Sequence, residues 1–93
     1  MIDRTGWIVR STAGRDKDGI FCVIGADRAG GRLLLADGKR RPMARPKAKK
    51  PGHVEVLAQR PPYPAVQKLC RGEAPTDAEL RRTLRAFRDE MEV

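Results

Sequence analysis

The first sixty residues break into apolar runs too short to be helices, "WIV", "IFCVI", "LLLA" and "VEVLA", separated by clusters of glycine, aspartate, lysine and proline. Runs of this length, rich in β-branched and aromatic residues and bounded by turn formers, predict strands. "GWIVRS" at Gly6 to Ser11 and "GIFCVIGA" at Gly19 to Ala26 flank the turn "GRDKDG" and predict a hairpin. "DRAGG" then supplies a second turn, and "RLLLADG" a third strand that ends at Asp37-Gly38, a dipeptide favoured in two-residue hairpin turns. A fourth strand is expected from Lys39, confined to an edge or to a short length by Pro42. "HVEVLA" alternates Val54 and Val56 against His53 and Glu55, as a half-buried closing strand does. Four or five short strands joined by turns within about sixty residues predict a mainly β chain, and a small, strongly bent barrel rather than an open sheet with exposed edges.

Composition changes after Arg60. "PPYP" is a stiff connector, "AVQKLC" has room for one or two helical turns before Gly72, and the last segment reads as a full helix. Thr76 and Glu79 form a T-x-x-E capping box, Asp77 places negative charge at the positive end of the helix dipole, and Leu80, Leu84, Phe87 and Met91 recur on one face. The organisation expected is a β domain over residues 1–60 and a linker with an amphipathic helix over residues 61–93. The apolar helix face must dock on the sheet, on Val66 and Leu69, or on a partner protein. A chain of 93 residues supports one small core, and Trp7, expected within it, is one of only four aromatic residues.

The net charge of +8 lies entirely in the first part: residues 1–60 hold fourteen Lys/Arg and six Asp/Glu, residues 61–93 six of each. A local cationic excess of this kind marks an electrostatic footprint for a polyanion. No transmembrane stretch is present and the polar start "MIDRTGW" is unlike a signal segment, so a cytoplasmic location is expected. Cys22, inside "IFCVI", is expected to pack as a small apolar residue, and two cysteines with one histidine do not supply a zinc site. Enzyme chemistry has no carrier here. His53 is expected at the surface, no phosphate loop or nucleophile elbow occurs, and Asp16 and Asp18 read as ordinary turn residues beside Arg15 and Lys17. Neither a cofactor nor a metal is expected.

What the sequence does carry is a basic constellation on loops. Arg10 ends the first strand, Gly14, Arg15 and Lys17 sit in the first turn, and Lys39, Arg40 and Arg41 follow the Asp37-Gly38 turn. The tract "KRRPMARPKAKK" continues with Arg45, Lys47, Lys49 and Lys50, has no acid in it, and is expected to stay out of the core and to order only on binding. In a tight barrel these turns lie near one rim, where guanidinium forks, ammonium groups and closely approaching glycine backbone suit phosphate oxygens.

The stretch "GWIVRSTAGRDKDGIFCVIG", followed by "LLLADGKRRPMARPKAKKPGHVEVL", resembles bacterial KOW-domain RNA-binding proteins, which are similar to KOW-bearing large-subunit ribosomal proteins of eukaryotes and archaea. The resemblance covers about residues 5–58 and leaves out the carboxy-terminal helix. It implies an SH3-like five-stranded barrel that binds structured RNA, most readily ribosomal RNA, with Gly14, Arg15, Asp16 and Lys17 in the principal contact loop and Asp37, Gly38, Lys39 and Arg40 in a second. Asp18 stands where the family pattern has glycine, and aspartate is among the residues that tolerate the left-handed conformation required. The function expected is that of an RNA-binding accessory of ribosome assembly or translation, reading shape through phosphate and sugar because stacking aromatics are scarce. The alternative is a protein-interaction module docking on an acidic surface of transcription or translation machinery, with the last helix as second contact. Nonspecific DNA binding is a third reading and has less behind it, since no helix is expected to have a basic face suited to the major groove, the last helix being charge-balanced.

Overall fold

The computed structural model describes residues 2–92. Strands β1 (Ile8–Ser11), β2 (Ile20–Asp27), β3 (Arg32–Ala36), β4 (Lys47–Lys49) and β5 (Val54–Ala58) precede helices α1 (Pro64–Cys70) and α2 (Asp77–Met91). The strands form one antiparallel sheet in the order β4-β3-β2-β1-β5, and its two edges, β4 and β5, are not paired with each other among the described residues. The hairpin expected from "GRDKDG" is present, with Val9 opposite Phe21 and Arg10 opposite Ile20. Asp18 takes the left-handed conformation there, at φ 72°.

The apolar run of β2 is continuous rather than alternating because both faces of the sheet are buried. On one face, Ile8, Cys22 and Ala36 line up across three strands and pack against Ala65, Val66 and Leu69 of α1 and Leu80, Leu84 and Phe87 of α2. On the other, Val9, Phe21, Val23, Leu33 and Leu35 form a second cluster to which no helix contributes, with Trp7 and Val54 at its margin. Its members are 0–4% exposed, so the sheet must bend over its own face to cover them. Register shifts between Val23 and Gly25 and between Ile8 and Val9 supply local bends.

The fourth strand does not start at Lys39. Beyond β3 the Asp37 carboxylate accepts the backbone N–H groups of Lys39 and Arg41, 2.9 Å each, which turns the chain away from the sheet. Pairing with β3 resumes only at Lys47, after Pro42 and Pro46. Nor is Asp37-Gly38 a two-residue hairpin turn; it opens a loop of residues 37–46 that lies on α2. His53 ends an exposed 3₁₀ turn, Pro51–His53, instead of opening the last strand, and Val56 on the edge strand is 41% exposed while Leu57 and Ala58 pack against the helix-side core.

Helix α2 begins as its sequence dictates. The Thr76 hydroxyl accepts the Glu79 N–H (3.1 Å), and Glu79 Oε1 accepts the Thr76 N–H (2.9 Å). Leu80, Leu84 and Phe87 are buried and Met91 is not, so the apolar face, expected to dock on the sheet, on Val66 and Leu69, or on a partner, is covered within the chain. The carboxylates of Glu79 and Glu90 are drawn to α1 and its cap: Lys68 Nζ donates to Glu79 (2.7 Å) and the Tyr63 hydroxyl to Glu90 (2.6 Å). Cys22 packs in the helix-side core, where burial pushes its thiol up to about 12; both cysteines are unbridged. Among the described residues, no helix is long and apolar enough to cross a membrane.

Candidate nucleic-acid interface

The loop of residues 12–19 closes on itself through backbone bonds from Asp18 N to Ser11 O (2.7 Å) and from Gly19 N to Asp16 O (2.9 Å). This geometry turns Asp16 inward. It is 6% exposed, while its neighbours Arg15 and Lys17 face solvent. Arg41, on the 37–46 loop, donates Nε and Nη2 to Asp16 Oδ1 at 3.3 and 3.2 Å and Nη2 to Oδ2 at 3.1 Å. Lys49 Nζ stands 3.9 Å from the same carboxylate and donates to Ser11 Oγ (2.9 Å) and Ala13 O (2.8 Å). Burial alone would raise the Asp16 carboxyl; the Arg41 hydrogen bonds, with the charges of Arg41, Lys49 and Lys47, outweigh it and hold the group below its usual range.

Asp16 is therefore not an ordinary turn residue, and the basic tract is neither wholly outside the core nor disordered. Lys49 is 7% exposed because a lone ammonium inside a fold needs an anion and acceptors, and the first loop provides both. The rest of the tract is held by the 37–46 loop. Gly38 is buried at φ +77°, and a Cβ there would lie 2.3 Å from the Asp77 carbonyl oxygen. Its glycine lets the loop touch the first two turns of α2, where Arg81 Nη1 donates to Gly38 O and Met43 N donates to Asp77 Oδ1 (2.8 Å).

The candidate cations thus divide. Arg15, Lys17, Lys39, Arg40, Arg45 and Lys50 are exposed; Lys47 is half-buried in β4. Arg41 and Lys49 are engaged internally, and Arg10 forms a two-point pair with Glu55 (2.7 and 2.9 Å). Gly14 lies exposed at φ +77° beside Lys49 Nζ, at 3.4 Å from where its Cβ would be. The Asp16–Arg41 contact brings the two basic loops together.

Sequence reasoning missed a third group. Arg81, Arg85 and Arg88 on α2 are exposed and, at spacings of four and three, share one helix face beside the 37–41 segment. Their spacing was the available signal, hidden by a charge count that sums to zero over the helix. Comparison with protein-family models and with curated proteins finds no match for this chain.

Proposed function

We propose that this chain binds structured RNA through the phosphate and sugar backbone, as a ribosome-associated accessory of assembly or translation, and that its sheet is an SH3-like barrel of the KOW type. One observation carries the reading: Asp16 ties the two loops that bear Arg15, Lys17, Lys39 and Arg40, leaving those four cations exposed on a joined surface. The barrel assignment draws support from Lys49. In the order β4-β3-β2-β1 its strand stands three positions from β1, roughly 14 Å across a flat sheet. Its ammonium nevertheless reaches Ser11 at the end of β1, which requires strong curvature.

The alternative, docking on an acidic protein surface with α2 as second contact, has less support because Leu80, Leu84 and Phe87 are already covered. Crosslinking in cells followed by sequencing of attached RNA tests the proposal. Enrichment of ribosomal RNA is expected; a flat profile overturns the ribosomal assignment. In vitro, Arg15→Ala and Lys17→Ala should each lower RNA affinity and reduce the log–log salt slope by about one. Unchanged slopes would remove the loops from the interface.

A further inference from the structure

We infer that the groove between α2 and the 37–41 segment is a second contact for the backbone of an RNA strand, continuous through Lys39 and Arg40 with the loop surface. This rests on the RNA reading above. The groove, of about 450 Å³, is lined by Lys39, Arg40, Arg81, Arg85 and Arg88 against one carboxylate, Asp37. That carboxylate is turned to the loop's own N–H groups through Oδ1. Among the described residues, none of these five cations is in an ion pair.

Five like charges around one concavity repel one another, and their common field concentrates anions in it. The neutral sum of α2 conceals this because, of its four acids, Glu79 and Glu90 face Lys68 and Tyr63, Asp77 accepts the Met43 N–H, and Asp89 is exposed with no ion pair among the described residues. From Arg81 to Arg88 the stripe covers about 10 Å of helix axis. A stripe of that length can meet more than one phosphate of a strand that runs along it. Guanidinium forks give each a two-point hydrogen-bonded partner.

The floor favours a phosphodiester over an acidic polypeptide. Protein docking relies on apolar anchors entering pockets, and the apolar lining residue here, Leu84, is 2% exposed and already packed in the core. The groove is also held open in advance, since Gly38 and Met43 fix the loop to the first two turns of α2.

The test compares a fluorescently labelled RNA stem-loop with labelled poly-glutamate, by anisotropy over a salt series. Three charge-matched double variants are used: Arg85→Gln with Arg88→Gln in the groove, Arg15→Gln with Lys17→Gln in the loop, and Arg28→Gln with Arg32→Gln at the β2–β3 turn, the end of those strands opposite to both loops. The groove pair should lower RNA affinity about tenfold at moderate salt and reduce the slope by about two, with an unchanged melting temperature, while the distant pair has a much smaller effect. If the loop pair weakens RNA binding but the groove pair behaves like the distant pair, the groove inference falls and the RNA reading stands. If poly-glutamate binds more tightly than the stem-loop and the groove pair abolishes it, both fall, and the groove is an acidic-polypeptide site.

Discussion

Replacing Asp16 with alanine removes the anion on which two cations converge, and the structure sets the size of the effect. Breaking a buried ion pair by deleting one partner costs about 3–5 kcal/mol, because the other charge is stranded. Lys49, at 7% exposure, is the stranded charge here, although it keeps its bonds to Ser11 Oγ and Ala13 O. Arg41, whose side chain is 31% exposed, can turn to water. The loss should therefore fall at about 2–4 kcal/mol, or roughly 10–25 °C in melting temperature for a domain of this size. Urea unfolding, followed by the fluorescence of Trp7 and by circular dichroism, measures it. Lys49→Met keeps the apolar stem and leaves Asp16 with Arg41, so alone it should cost only about 1 kcal/mol. Once the ammonium is gone, Asp16→Ala strands nothing buried, and the double variant should be more stable than the summed losses predict by about 1–3 kcal/mol. A loss below about 1 kcal/mol for Asp16→Ala, or strict additivity, would refute the reasoning.

Gly38→Ala forces both a left-handed alanine and a Cβ onto the Asp77 carbonyl, and should cost about 2–4 kcal/mol; Gly31→Ala, at φ +67° with open space around it, should cost about 1–2 kcal/mol by the same denaturation assay. Thr76→Ala removes the hydroxyl half of the α2 capping box and should lower the urea midpoint by the equivalent of about 1 kcal/mol. Acid should destabilise the chain through two carboxylates. Lys68 and the Thr76 backbone hold Glu79 at about 2, and Asp16 is also lowered, so both contribute stability above their unfolded values of 4.5 and 3.8 and lose it as pH falls through their folded ones. A urea midpoint that stays constant from pH 5 to about pH 2 would contradict this.

Strands β1 to β3 and the start of α2 are legible because their signals are local: apolar runs between turn formers, and a capping box four residues long. β4 is not, because Lys47-Ala48-Lys49 has no apolar pattern and becomes a strand only by lying on the edge of β3. In sequence Lys49 is one charge in a solvated run; its burial depends on an acceptor thirty-eight positions away. Asp16 looks like a turn residue for the same reason, since Arg41 is twenty-five positions distant. The acid-free run of charges reads as a tract that orders only on binding, yet Asp37 and the first two turns of α2 fix it through contacts no window contains. The α2 arginines differ. Their spacing of four and three is a local signal, masked by the equal number of acids in the same helix.

An acid at the centre of a cationic face would weaken polyanion binding if charge were all that mattered. A tract that ordered only on binding would, however, lose about 1–2 kcal/mol of backbone entropy for each residue fixed at that moment. By tying Arg41 and Lys49 to the first loop, Asp16 moves that loss into folding and leaves the remaining cations at set positions. Two substitutions with the same charge change separate these effects. Asp18→Asn, at an exposed left-handed position that asparagine tolerates, removes one repelling charge and should strengthen RNA binding slightly. Asp16→Asn removes the same charge from the knot, loosens both loops, and should weaken binding by about tenfold at a temperature where the variant is still folded, if the lost ordering amounts to about one residue. Anisotropy with the labelled stem-loop reads both. Equal gains in affinity would mean that the carboxylate organises nothing the RNA uses, and that Arg15, Lys17, Lys39 and Arg40 act as independent charges.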